Sequence, residues 1–196
     1  MDICCAILAG GRSTRMGVDK HSLKIGREML IERVIRKASP IFGRVFIVSK
    51  EESVPSFGLP VMKDLLPYGS PLVGIVSALL YAETESVFVL AADMPFLTEE
   101  GILYLMEKRG GEDIVLPVTE KGFEPLHAIY RRTCLPYALR NVERGMFSIS
   151  ALFPYLSVKF IRDEGAFSCN GVSVFTNVNT REDLEFARRS LGGDHL

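Results

Sequence analysis

No apolar run in the 196-residue sequence approaches the roughly 18 residues that a membrane-spanning helix needs. The N-terminus also lacks the basic segment, long apolar stretch and cleavage site of a secretory leader. A cytoplasmic location, with no membrane partner, is therefore expected. Cysteine is scarce and unpatterned: Cys4, Cys5, Cys134 and Cys169 show no Cys-x-x-Cys spacing, so neither a zinc cluster nor a redox pair is signalled. His21, His127 and His195 form no HxH or HxxxH ligand pattern and are read as structural or solvent-exposed. No Gly-x-Ser-x-Gly elbow supports a serine hydrolase. Charge of one sign is missing too, and a formal net charge of −1 argues against general nucleic-acid binding. No linker, charge block or internal repeat divides the chain, so residues 1–196 are read as a single domain.

What the sequence does contain is an ordinary globular complement of apolar residues, 47%, which is enough for one substantial core. Short apolar runs alternate with helical patterns. Ile3 to Leu8, Val45 to Val48, Val87 to Ala91 and Ile114 to Pro117 read as strands buried on both faces. Leu59 to Met62 is a further short strand leading to Asp64, the latter half of Glu124 to Tyr130 is another, and Val158 to Ile161 alternates like an edge strand. Leu30, Ile31, Val34, Ile35 and Ala38 fall at helical spacing. Ser70-Pro71 is a strong helix start, followed by a buried face of Leu72, Ile75, Val76, Leu79 and Leu80. Thr98 opens a helix that Gly110-Gly111 ends, and Thr180 caps a last helix carrying Leu184, Ala187 and Leu191. Between Arg131 and Leu156 the pattern is helix broken at Pro136 and near Gly145. Strands alternating with helices predict a three-layer α/β/α sandwich on a mostly parallel, Rossmann-like sheet.

The chemistry concentrates after the first strand, in Leu8-Ala9-Gly10-Gly11-Arg12-Ser13-Thr14-Arg15-Met16-Gly17-Val18-Asp19-Lys20. Between residues 12 and 27 stand Arg12, Arg15, Lys20, Lys24 and Arg27 against Asp19 alone. Adjacent glycines let backbone N–H groups approach phosphate oxygens, and the local positive charge calls for a small, strongly anionic ligand. The spacing fits neither the Gly-Lys-Ser/Thr phosphate loop nor the Gly-x-Gly-x-x-Gly dinucleotide fingerprint. It puts a backbone cradle first and a long basic arm after it, in which Arg15 and Lys20 could neutralise a leaving pyrophosphate. A tight strand-to-helix turn is the competing reading of Gly10-Gly11 taken alone.

Asp93 ends a predicted strand, where open α/β sheets place ligand groups, and a phosphate site needs a hard oxygen ligand for Mg²⁺. It is either that ligand or a turn residue before Met94-Pro95. Asp64 either accepts hydrogen bonds from a base or ribose or is an exposed loop residue, and Asn177 and Asn179 either bear on a ligand or order a turn.

With these motifs in hand, the sequence resembles the molybdenum cofactor guanylyltransferases, within the nucleotide-diphospho-sugar transferase-like α/β superfamily. The resemblance spans nearly the whole chain. It rests on Leu8 to Gly11, Arg15-Met16-Gly17, Asp19-Lys20, Gly69-Ser70-Pro71-Leu72 with Gly74, Asp93-Met94-Pro95-Phe96-Leu97, Glu124-Pro125-Leu126 and Asn177-Val178-Asn179-Thr180. It implies that Leu8, Ala9, Gly10, Gly11 and Lys20 contact GTP, that Asp64 sits near the guanosine, that Asp93 holds Mg²⁺, and that Asn177 and Asn179 face the acceptor. The implied reaction moves GMP from GTP to the terminal phosphate of molybdopterin and releases pyrophosphate, with Arg15, Lys20 and Asp93 as catalytic residues. Its implied partners are GTP, molybdopterin and the maturation proteins of molybdoenzymes. The alternatives are the same chemistry with CTP or a sugar-phosphate acceptor, and a non-catalytic carrier of nucleotide or cofactor.

Overall fold

The protein is described as a computed structural model over residues 3–10, 23–51 and 53–192. The apolar run that opens the chain forms β1 (Ile3–Leu8), whose side chains alternate between two cores because successive strand residues point to opposite faces. Cys5 and Ile7 face one, Cys4 and Ala6 the other. Flanking β1 in parallel are β4 (Val45–Ser49) and β6 (Ser86–Ala91), and β5 (Val61–Lys63) pairs parallel with β4 at the sheet edge. The third strand of the N-terminal half thus starts at Val61 rather than at Leu59, since Pro60 contributes a carbonyl to Ile47 but has no N–H to give.

The sheet continues on the far side of β6 with β9 (His127–Arg131), β7 (Ile114–Thr119) and β10 (Val158–Ile161), in the order β10-β7-β9-β6-β1-β4-β5. Only β9 on this path runs against its neighbours, pairing antiparallel with both β6 and β7. The cause is local: β7 turns through Gly122, at φ +125°, into β8 (Gly122–Phe123), and the chain folds back between β7 and β6 instead of crossing over through a helix. The sheet is mostly parallel, as expected, and Val158–Ile161 is an edge strand, as its alternation predicts.

Helices cover both faces. α1 (Leu30–Ala38) and α3 (Glu99–Lys108) supply Ile31, Val34, Ile102 and Leu105 to one core; α2 (Pro71–Tyr81) and α4 (Leu135–Glu143) supply Leu72, Ile75, Leu79, Ala138 and Val142 to the other. The start signals act as predicted: Ser70 Oγ accepts from Val73 N at 3.3 Å and Thr98 Oγ1 from Gly101 N at 3.1 Å. Two expectations fail. Leu80 is exposed rather than buried, because α2 has already turned its inward arc through Val73, Gly74, Ser77 and Ala78. Pro136 lies in the first turn of α4 and so begins that helix instead of breaking it, since the N–H that proline lacks has no helical acceptor there. No helix among the described residues is long and apolar enough to cross a membrane.

A third, smaller core gathers Leu23, Ile25, Leu30, Phe96, Val178, Leu184 and Ala187. It joins the hairpin of β2 (Lys24–Ile25) and β3 (Glu28–Met29) to α5 (Arg181–Leu191), and Arg188 Nε and Nη2 donate to Lys24 O at 3.1 and 3.0 Å. Reciprocal bonds begin α5: Thr180 Oγ1 accepts from Asp183 N at 3.1 Å, and Asp183 Oδ2 accepts from Thr180 N at 2.8 Å and Asn179 N at 2.9 Å. Removing the hydroxyl orphans the Asp183 amide, so Thr180→Ala is expected to lower stability by about 1 kcal/mol in urea denaturation, and Thr180→Ser to restore most of it. A variant as stable as the wild type would show that the cap contributes nothing.

Candidate functional site

The predicted segments meet at the C-terminal edge of the sheet, drawn there by backbone hydrogen bonds. Ala9 N donates to Val48 O at 2.9 Å, and Ala92 N donates to Leu8 O at 3.1 Å, which fixes the end of β1 between its two neighbours. Ala91 N donates to Leu126 O at 3.0 Å, and Val178 N donates to Asp93 O at 3.1 Å. The last bond brings the asparagine segment against Asp93, although the two lie far apart in sequence. Val178 is fully buried while Asn177 and Asn179 on either side are exposed, so the segment is anchored by its middle residue and presents its amides outward.

Two arginine and serine contacts, which the sequence patterns did not single out, stiffen this edge. Arg33 of α1 donates from Nε to Pro95 O at 2.8 Å and pairs with Glu28 at 3.0 Å, clamping the turn that follows Asp93. Ser77 of α2, fully buried, donates to Asp64 Oδ1 at 2.6 Å and accepts from Leu65 N at 3.0 Å. Asp64 N also donates to Ser49 O at 2.7 Å. Asp64 is therefore a half-buried, oriented carboxylate beyond β5, not an exposed loop residue. Ser77 left a readable signal, the one hydroxyl within the run Leu72 to Leu80. Ser49 Oγ is turned inward, accepting from Glu51 N at 3.0 Å.

Glycine matters at two points here. A Cβ on Gly74 would come within 2.8 Å of Leu8 Cδ1, so the glycine lets α2 pack close against the end of β1. A Cβ on Gly10 would meet none of the described atoms, and Gly10 is exposed, which leaves its backbone approachable. Gly11, Arg15 and Lys20 lie outside the described residues, as do His21 and His195.

Near this edge is a cavity of about 170 Å³ whose lining includes Pro71, Met94, Glu124, Pro125 and Asn177. Glu124 is half-buried there. Burial pushes its carboxyl above the usual value, and the hydrogen bond from Thr119 Oγ1 at 3.2 Å offsets part of that. His127, also at this cavity, is fully buried among Phe88, Phe167 and Phe175, and burial lowers its pKa to about 4 despite its 3.4 Å contact with Gly101 O. It is neutral and structural, as its isolation in the sequence implies.

No cluster of three or more His, Cys, Asp or Glu exists among the described residues. Mg²⁺ takes one or two carboxylates and completes its shell with water and substrate phosphates. Asp93, half-buried at the end of β6, fits the protein's share of such a site.

Gly10 beyond the end of β1, the Asp93 carboxylate beyond the end of the neighbouring strand β6, and the asparagine segment tied to Asp93 lie along one edge of the sheet. Residues 5–158 match the family description "MobA-like NTP transferase domain". The chain belongs to that family. Among its relatives, a protein of Pelotomaculum thermopropionicum named "Probable molybdenum cofactor guanylyltransferase" is 36% identical over 93% of this chain and 90% of its own. A protein of Methanosarcina mazei with the same name is 34% identical over 91% and 87%. Molybdopterin-guanine dinucleotide biosynthesis protein A from Archaeoglobus fulgidus superposes with a TM-score of 0.82 at 27% identity, covering 96% of this chain and 98% of that one. The fold also matches 2-C-methyl-D-erythritol 4-phosphate cytidylyltransferase from Thermus thermophilus, TM-score 0.71 at 13% identity, covering 96% and 98%. The fold is thus the nucleotide-diphospho-sugar transferase-like sandwich that the resemblance implies. The MobA-like match ends at residue 158, before Asn177 and Asn179, which the Val178 to Asp93 hydrogen bond brings next to Asp93.

Proposed function

We propose that this MobA-like NTP transferase is a molybdenum cofactor guanylyltransferase: it transfers GMP from GTP to the terminal phosphate of molybdopterin, forming the guanine dinucleotide cofactor and releasing pyrophosphate. The observation that carries the reading is the convergence of the β1 glycine end, Asp93 and the Asn177–Asn179 segment at one sheet edge. The names of the relatives that match along most of this chain support it.

An oxygen of the acceptor's terminal phosphate attacks the α-phosphorus of GTP; a new P–O bond forms as the bond to the β-phosphate oxygen breaks. The nucleophile is already anionic, so no general base is required, and His127, the histidine among the described residues, is buried and neutral. The task left to the protein is alignment of two mutually repelling phosphates. Backbone N–H groups of Gly10 and Gly11 would hold the triphosphate, Lys20 and Arg15 would offset the charge of the leaving pyrophosphate, and Asn177 and Asn179 would face the acceptor. Asp93 would hold Mg²⁺, which when bound neutralises charge on the nucleotide phosphates. Asp64, oriented by Ser77 on the β5 side of the edge, would face the guanosine. The cytoplasmic location and the maturation-protein partners belong to the same reading.

Pyrophosphate release with Mg²⁺, molybdopterin and each NTP in turn tests it. GTP is expected to be preferred, with guanine dinucleotide cofactor as product; preference for CTP would overturn the guanylyl assignment, and binding of GTP without turnover would make the protein a carrier. In the same assay Lys20→Ala is expected to raise the KM for GTP about tenfold, the loss of one charge-assisted contact. An unchanged KM would remove Lys20 from the nucleotide site.

A further inference from the structure

Glu124 poses a problem for a site built to hold two phosphate groups. A half-buried carboxylate beside a triphosphate and a phosphate monoester is repelled by both, so its partner in the bound state must be something other than phosphate. Among the described residues it receives one side-chain hydrogen bond, from Thr119 to Oε1. Its other oxygen, Oε2, accepts none from the described residues, and a carboxylate can accept at both oxygens.

Position narrows the partner. Asp64 and Ser49 stand beyond β4 and β5, on one side of β1, whereas Glu124 stands between β8 and β9, on the other side of β6. If the nucleoside lies toward Asp64, Glu124 faces the acceptor. The cavity that Glu124 lines adjoins a second one of about 270 Å³, and the two share Pro71 and Pro125. Phe123, Phe147 and Phe153 wall the second cavity. Phe123 and Phe153 meet edge to face at 5.0 Å, and Phe147 packs on Tyr68 at 5.2 Å, so the walls are braced. A groove with aromatic walls and a carboxylate at its inner end suits a flat heteroaromatic ring that has a pair of N–H donors on one edge.

We propose that Glu124 is the specificity residue for the acceptor's pterin ring, its carboxylate accepting from the ring's 2-amino group and N3–H, with the ring face against the groove of Phe147 and Phe153. The inference rests on molybdopterin being the acceptor. It explains why a raised carboxyl pKa is tolerated at Glu124: two N–H donors favour the ionised form that burial disfavours.

The test uses ring fragments that carry no phosphate, titrated by their own fluorescence against the full-length protein. 6-Hydroxymethylpterin presents two donors on the reading edge; 6-hydroxymethyllumazine, with oxygen in place of the 2-amino group, presents one donor and one acceptor. The wild type is expected to bind the pterin about tenfold more tightly than the lumazine. Glu124→Gln is expected to bring that ratio to about one or below, because an amide offers one acceptor and one donor and so matches the lumazine edge. Phe147→Ala is expected to weaken both fragments equally without changing their ratio. GTP binding within twofold of wild type verifies that each variant is folded. An unchanged pterin preference in Glu124→Gln, or no saturable pterin binding to the wild type, overturns the proposal. GMP transfer by the wild type reads the function separately: transfer to molybdopterin with a Glu124-independent fragment preference removes the subsite alone, and a Glu124-dependent preference without transfer removes the function alone.

Discussion

Asp93→Asn is expected to lower kcat for GMP transfer about 1,000-fold, equivalent to about 4 kcal/mol of lost transition-state stabilisation, while unfolding stability stays within about 1 kcal/mol of wild type. The two readouts separate because backbone contacts that the substitution leaves in place hold this turn. Val178 N bonds to the Asp93 carbonyl and Arg33 to the carbonyl of Pro95, and neither contact involves the carboxylate. Asparagine keeps the size of the side chain and one of its oxygens but removes the charge. If Asp93 is the metal ligand, the variant also requires a higher Mg²⁺ concentration for half-maximal rate, whereas a turn residue would show no such shift. A kcat within tenfold of wild type at saturating Mg²⁺ would return Asp93 to the role of ordering the Met94-Pro95 turn.

What could be read from the sequence follows from how local each determinant is. α2 is legible because Ser70 and Pro71 act within one turn of where they stand, and α5 because Thr180 and Asp183 satisfy each other's amides. β1, β4 and β6 are legible because a strand covered on both faces must be apolar throughout. The β2–β3 hairpin was not, since two-residue strands show no periodicity and only Gly26, at φ +61°, marks the turn. The direction of β9 was not legible either: an apolar strand reads the same whichever way it runs, and the reversal depends on the β7–β8 turn. The site divides in the same way. Asp93 could be chosen because it ends a recognisable strand. Arg33 could not, since it acts across the fold on Pro95, distant in sequence; Ser77 shows only as a lone hydroxyl on an apolar helix and Glu124 only within the Glu124-Pro125-Leu126 motif, and neither pattern tells what the side chain meets.

His127 offers a result of comparable size on stability. Its pKa is lowered to about 4 by burial, against an ordinary 6.5. Between those values the unfolded chain takes up a proton that the folded protein refuses, so stability is lost as pH falls from about 6.5 toward 4, at up to about 1.4 kcal/mol per pH unit. At pH 5 the loss amounts to about 2 kcal/mol. The environment explains the refusal: Phe88, Phe167 and Phe175 surround the ring at 5.2 to 5.5 Å, Nδ1 has no hydrogen-bond partner among the described residues, and the contact of Nε2 with Gly101 O is long at 3.4 Å. Leucine nearly matches the ring's volume and needs no partner, so His127→Leu is expected to lie within about 1 kcal/mol of wild type at pH 7. Relative to wild type it should then gain about 2 kcal/mol between pH 7 and pH 5 in urea denaturation, because the proton that penalises the native histidine has nowhere to bind. Equal acid destabilisation of the two proteins would place the pH sensitivity elsewhere, in the exposed carboxylates, and would mean that the His127 pocket opens to water before the rest of the core gives way.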